Sequence, residues 1–187
     1  MVQSRARRIP IIDEDDETRR PMVVSVITQY RILKFVSVNV KETQNLRKPL
    51  KDLNIGSYSG LKYAYMDTPV MDVIQMLVKK SISSVPILDH QDGLVINVFE
   101  AVDVLPLIKN GSYDDLNLTV GEALLKRSED FPGIYTCTVE DRLDAIFDTI
   151  RRSRVHRFVI IDDGGRLKGV LTLSDILEYV LTEGETD

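Results

Sequence analysis

One cysteine and two histidines in 187 residues close off several chemistries at once. Cys137 has no second cysteine to bridge to, which excludes an internal disulfide and a cysteine metal cluster. Two histidines supply a zinc site poorly. No apolar run approaches the roughly 18 residues of a membrane span. The start, Met1 to Arg8, is basic but leads into no apolar segment, so no signal peptide is expected. The sequence has no serine elbow, no Walker-type phosphate loop and no HExxH, and Cys137 has no histidine near it in the chain. No catalytic constellation emerges. Beyond the first twenty residues there is no long basic run, and the net charge is −5, which argues against a nucleic-acid partner. An intracellular, reducing compartment is the natural setting for such a chain. What remains is a globular composition, 43% hydrophobic, long enough for one core or for two small repeats that share one.

The most informative stretch runs from Val155 to Leu177. A short β-branched strand ends at Asp162, a turn contains Gly164 and Gly165, and a second strand runs to Thr172. Thr172 and Ser174 are suited to cap a helix whose first turn holds Asp175. Basic residues at the start of one strand, with hydroxyls and a carboxylate at the end of the other, could hold a phosphorylated ligand with a ribose. Elsewhere the patterns predict strands at Arg7–Asp13, Met22–Ile27, Ser84–Asp89 and Leu94–Phe99, and a lead-in strand at Ile134–Cys137. Helices are expected from Gln29 behind Thr28, from Pro69 to Lys80 behind Thr68, from Glu100, and from Asp141 to Arg152. Ile32, Leu33, Phe35 and Val36 read as a one-sided stripe; Leu143, Ile146, Phe147 and Ile150 read as another. Thr119 and Glu122 form a capping box before a short helix.

The order of elements repeats. Ile87-Leu88-Asp89 lines up with Ile160-Ile161-Asp162 and with Ile11-Ile12-Asp13; Gly93 lines up with Gly165; Asp103 lines up with Asp175 and with Arg31. Two full units, about 72 residues apart, each read lead-in strand, helix, strand, turn, strand, helix. One such unit has apolar faces it cannot cover alone, so neighbouring units must pack.

This repeat resembles the cystathionine-β-synthase (CBS) motif, pairs of which form a Bateman module. More closely, the chain resembles the gamma regulatory subunits of the AMP-activated protein kinase. That likeness rests on Arg7-Arg8-Ile9-Pro10, Thr28 to Phe35, Thr68-Pro69-Val70, Val155-His156-Arg157 and Thr172 to Leu177, taken in order. Asn97 to Glu100 and Val120 to Leu124 point to the fungal members. The resemblance implies an α/β (α+β) fold of tandem CBS motifs forming a Bateman module, preceded by the C-terminal part of another CBS motif. The segments would be 1–40 for the end of motif two, 41–58 a linker, 59–111 motif three, 112–128 a connector, 129–182 motif four and 183–187 a tail. Against the four motifs of the family, motif one and the front of motif two fall outside this sequence.

The resemblance also assigns roles. Asp175 would accept the ribose hydroxyls in charge-assisted bonds, with Thr172 and Ser174 adding to it. Plain helix capping explains the same three residues. Asp103 holds the ribose position of motif three, where Glu100 stands in place of the hydroxyl of Thr172 and compromises it. Arg31 holds that position in motif two, and an arginine cannot accept hydroxyl protons. His156 and Arg157 would face phosphate, with Arg7 and Arg8 as their counterparts in motif two and the neutral Ser83 and Ser84 in motif three. Arg152 and Arg154 enlarge the basic cluster or simply lie on the surface. Thr68 and the stretch Ile134–Cys137 would border an adenine, or serve packing. The acidic run Asp13 to Glu17 reads as a solvated loop. The implied protein is non-catalytic, with no catalytic cofactor and no metal. It would bind AMP, ADP or ATP and assemble with a catalytic alpha and a scaffold beta subunit, in cytoplasm and nucleus, with no membrane or nucleic-acid partner. A generic CBS module for another adenosyl ligand, or a structural module with vestigial sites, stays open.

Overall fold

The computed structural model describes residues 6–39, 44–109, 113–128 and 130–183. Residues 1–5, 40–43, 110–112, 129 and 184–187, which take in most of the basic start, parts of the linker and connector and most of the tail, lie outside the described residues. Two compact units divide the chain: one of 1–57, 138–158 and 170–187, the other of 58–137 and 159–169.

In the first unit β1 (Arg8–Glu14) and β2 (Pro21–Thr28) form an antiparallel hairpin with a bulge between Ile11 and Ile12. Helix α1 (Gln29–Asn39) follows directly. A 3-10 turn at Gln44–Arg47 leads to the short helix α2 (Leu50–Leu53) behind Pro49. Helices α6 (Leu143–Arg152) and α7 (Leu173–Glu183) both pack against α1. The inward face of α6 is Leu143, Ile146, Phe147 and Ile150, as its 3.6-residue period predicts. The stripe expected on α1 is different. Only Gln29 and Leu33 are buried, and Phe35 is 68% exposed. Two residues turn a helix by about 200°, so Leu33 and Phe35 cannot share a face.

In the second unit β3 (Ala64–Tyr65) runs parallel to β4 (Ser84–Leu88), which pairs antiparallel with β5 (Val95–Glu100). Helix α3 (Val70–Lys80) buries Val70, Val73 and Leu77 against Val85, Ile87 and Phe99. Its N-cap is Pro69, without a side-chain bond. The expected cap Thr68 instead accepts the Tyr65 N–H at 2.9 Å, closing the turn before the helix. After β5 the chain makes a 3-10 turn at Ala101–Asp103 and then α4 (Val104–Leu107). Pro106 sits in the first turn of α4, where a missing N–H costs no helical bond. Helix α5 (Val120–Leu124) begins with the expected capping box of Thr119 and Glu122. The lead-in strand of the next repeat is shorter than expected, β6 (Thr136–Cys137), and pairs parallel with β7 (Arg157–Ile161). With β8 (Leu167–Thr172) the sheet order is β6-β7-β8, matching β3-β4-β5.

The two turns recur as well. Asp89 donates its N–H to Leu94, and Asp162 donates to Arg166. Gly93 and Gly165 adopt φ of 72° and 77°, a left-handed conformation that glycine reaches without a Cβ penalty.

Candidate functional site

Each hairpin ends beside the start of the element that follows it, and register places the same two positions there. In β1–β2, Arg8 is the partner of Thr28. In β4–β5, Ser84 is the partner of Glu100. Strands β7 and β8 are neighbours joined by the turn 162–166, so Arg157 and Thr172 occupy the same open end. The residue three positions after each cap (Arg31, Asp103, Asp175) lies in the first turn that follows. The sequence alignment of the repeats therefore corresponds to one recurring corner, filled with different chemistry three times.

At the corner ending β8, Asp175 and Thr172 form a reciprocal cap. The Asp175 Oδ2 accepts the Thr172 N–H at 2.7 Å and its hydroxyl at 2.8 Å, and the Thr172 hydroxyl oxygen accepts the Asp175 N–H at 3.3 Å. Asp175 Oδ1 accepts no hydrogen bond among the described residues. Helix α7 accordingly starts at Leu173, with Asp175 in its first turn as expected. Ser174 donates to Oε1 of Gln29, a side chain only 8% exposed at the start of α1. Gln29 carries no sequence signal for this contact, since 145 residues separate the pair. At the start of β7, His156 is exposed and Arg157 half-buried; Arg154 just before them is exposed, as are Arg7 and Arg8 at the start of β1.

At the corner ending β2, the Thr28 hydroxyl oxygen accepts the Arg31 N–H at 3.2 Å, as expected of a cap. The Arg31 guanidinium turns back to donate to the Val26 carbonyl at 3.0 Å.

The corner ending β5 is closed. Asp103 is 6% exposed. Its Oδ2 accepts the Glu100 N–H at 2.7 Å, the same bond that Asp175 accepts from Thr172. Arg127, from the connector after α5, then takes both carboxylate oxygens: Nε donates to Oδ1 at 2.7 Å and Nη2 to Oδ2. The same guanidinium donates to Asn97 Oδ1 at 3.1 Å and to the Val98 carbonyl, and lies 3.9 Å over the ring of Phe131. Glu100 was the expected complication at this corner; the residue that engages the carboxylate is Arg127, which the sequence reading did not single out.

Of the other singled-out positions, Thr68 closes its own turn and Ile134 is half-buried ahead of β6. In the acidic loop, Asp15 Oδ1 accepts from the Thr18 N–H and hydroxyl and from the Glu17 N–H. The Thr18 bonds come first in holding its carboxyl below the ordinary value. A cleft of about 390 Å³ opens elsewhere in the first unit, between α1 and α6. Among its charged lining residues Arg142 pairs with Asp144 and Arg151 with Asp148, Glu140 pairs with Lys51 and Asp141 accepts from Thr138, and none of the residues singled out for a nucleotide lines it.

Residues 56–110 and 129–182 match the CBS domain. The chain belongs to the CBS-domain family, and its mixed α/β architecture is that of two such motifs in tandem. Within that class it is similar to the 5'-AMP-activated protein kinase subunit gamma of Saccharomyces cerevisiae, with 60% identity over 181 residues, 97% of this chain and 56% of that protein. The subunit of the same name from Kluyveromyces lactis is 59% identical over 182 residues, 97% of this chain and 55% of that one. The chain thus spans about half the length of the curated relatives it matches. Among solved structures, a Methanocaldococcus jannaschii protein superposes with a TM-score of 0.70 at 18% identity, over 94% of this chain and 59% of its own, a likeness of fold.

Proposed function

We propose that this chain is the adenine-nucleotide-binding part of a non-catalytic gamma regulatory subunit, acting in a heterotrimeric Ser/Thr kinase complex that senses energy state. The observation that carries the proposal is the 60% identity to a kinase gamma subunit across 97% of the chain. The corner at the end of β8 supplies chemistry to match. Asp175 keeps Oδ1 available to accept ribose hydroxyl protons, while Thr172 fixes the carboxylate through Oδ2. Arg157 and His156, at the start of the adjacent strand, offer donors for phosphate. AMP, ADP and ATP differ in the negative charge they bring to that cluster, and a nucleotide regulates only by binding two states of the complex unequally. Arg154, Arg7 and Arg8 would add positive charge, and Thr68 would border an adenine in motif three. Partners would be the catalytic alpha and scaffold beta subunits, and residence cytoplasmic and nuclear.

Calorimetric titration of the chain with AMP tests the nucleotide reading. Asp175→Ala and Arg157→Ala should each weaken binding by about tenfold or more, the worth of one or two charge-assisted hydrogen bonds. Undiminished affinity in a folded Asp175→Ala chain contradicts the ribose role. Co-purification with kinase alpha and beta subunits tests the assembly; its failure argues against the kinase setting and leaves the CBS fold intact.

A further inference from the structure

We propose that Arg127 is an internal latch: it occupies the ribose position of motif three, so that nucleotide fills this corner only when the connector carrying Arg127 is displaced. The inference rests on the reading of Asp103 as a ribose carboxylate and adds what governs access to it. A ribose diol needs carboxylate lone pairs to receive its two hydroxyl protons. At Asp175, Oδ1 is available for this. At Asp103, Oδ1 is taken by Arg127 Nε, and Oδ2 by the Glu100 N–H and Arg127 Nη2. The pair is well covered, with side chains 11% and 5% exposed.

The remaining contacts explain why the guanidinium stays. Its other donors go to Asn97 and the Val98 carbonyl, both on β5, and its face stacks on Phe131, four residues later in the chain. Arg127 is therefore satisfied in plane and out of plane at once, a strong site for a cation that fixes its geometry by a planar fork. A diol offers two neutral donors in place of this charged fork. It competes poorly unless the segment is pulled away, for example by a subunit that binds beside Arg127 and Phe131. Occupancy of motif three then becomes a readout of connector position, and Asp175 reports nucleotide independently.

The test is AMP titration of five versions of this chain: wild type, Asp175→Ala, Arg127→Gln/Asp175→Ala, Phe131→Ala/Asp175→Ala, and Asp103→Ala/Arg127→Gln/Asp175→Ala. With the corner at β8 disabled, Asp175→Ala alone should bind AMP weakly or not at all. Adding Arg127→Gln should restore binding by about tenfold or more, and further replacing Asp103 by Ala should abolish the gain. Phe131→Ala loosens the latch without unpairing Asp103, and should restore a smaller part. It decides the matter if the Arg127 variant fails to fold. AMP binding in wild type with no recovery in either folded double variant overturns the latch but leaves the nucleotide reading standing. A further weakening in both would make Arg127 a ligand contact and also overturn it. Absence of AMP binding from every one of these chains overturns the nucleotide reading and the latch together.

Discussion

Asp103 and Asp175 accept the same cap bond from the residue three positions earlier, Glu100 or Thr172. They differ in what reaches their second oxygen, and that difference comes from Arg127, 24 residues downstream of Asp103. The equivalence of the two carboxylates was legible from the repeat. The pairing was not, because a connector with no periodicity gives no geometric hint of where its side chains end up. Removing one partner of a covered ion pair leaves a charge without compensation, at a cost of about 3–5 kcal/mol. Arg127→Ala should lower unfolding free energy in urea by that amount, whereas Arg151→Ala, at an exposed pair, should cost at most about 1 kcal/mol. Asp162 gives a pH signature. Its carboxyl is held below the ordinary value of 3.8 chiefly by the Arg166 N–H, with Lys168 and the Gly164 N–H adding to it. A depressed folded pKa stabilises above the unfolded value and loses that contribution as pH falls through the folded one. Asp162→Ala should therefore lower Tm at pH 7, and the gap from wild type should narrow below about pH 4.

Helices α1 and α6 show which element signals carry through to packing. Both look amphipathic in sequence. In α6 the large apolar residues Leu143, Ile146, Phe147 and Ile150 recur at three- and four-residue spacing and are all buried. In α1 they fall at 32, 33, 35 and 36, a spacing that wraps around the helix, and Phe35 ends up exposed. Denaturant unfolding should separate the two. Ile150→Ala should cost about 2–5 kcal/mol, the range for emptying a buried aliphatic site. Phe35→Ala should stay within about 0.5 kcal/mol. Equal costs would contradict the assignment of faces. The β1–β2 hairpin makes the same point for strands: its length and turn were legible, but its β-branched residues do not read as exposed, and Ile12 and Val23 are 60% and 62% accessible. Alternation shows which residues share a face, not whether anything covers it.

At the scale of the whole chain, repeat and compact unit are two different divisions. The CBS domain matches run 56–110 and 129–182, while the compact units combine 1–57 with 138–158 and 170–187, and 58–137 with 159–169. The strand, turn and helix order of the two full repeats could be read directly, because each carries its own turn glycine, Gly93 or Gly165. The grouping into units could not, since it depends on which apolar faces meet, and residues such as Gln29 and Ser174 reveal that only in three dimensions. The two carboxylates are unequal: Asp103 is held by Arg127, while Asp175 keeps Oδ1 open at the corner proposed for nucleotide. Isothermal titration of the chain with AMP, alongside Asp175→Ala and Asp103→Ala, tests this most directly. The account predicts a single occupied site in wild type, lost in Asp175→Ala and retained with little change in affinity in a folded Asp103→Ala chain. Loss of that site in Asp103→Ala with full retention in Asp175→Ala would contradict it.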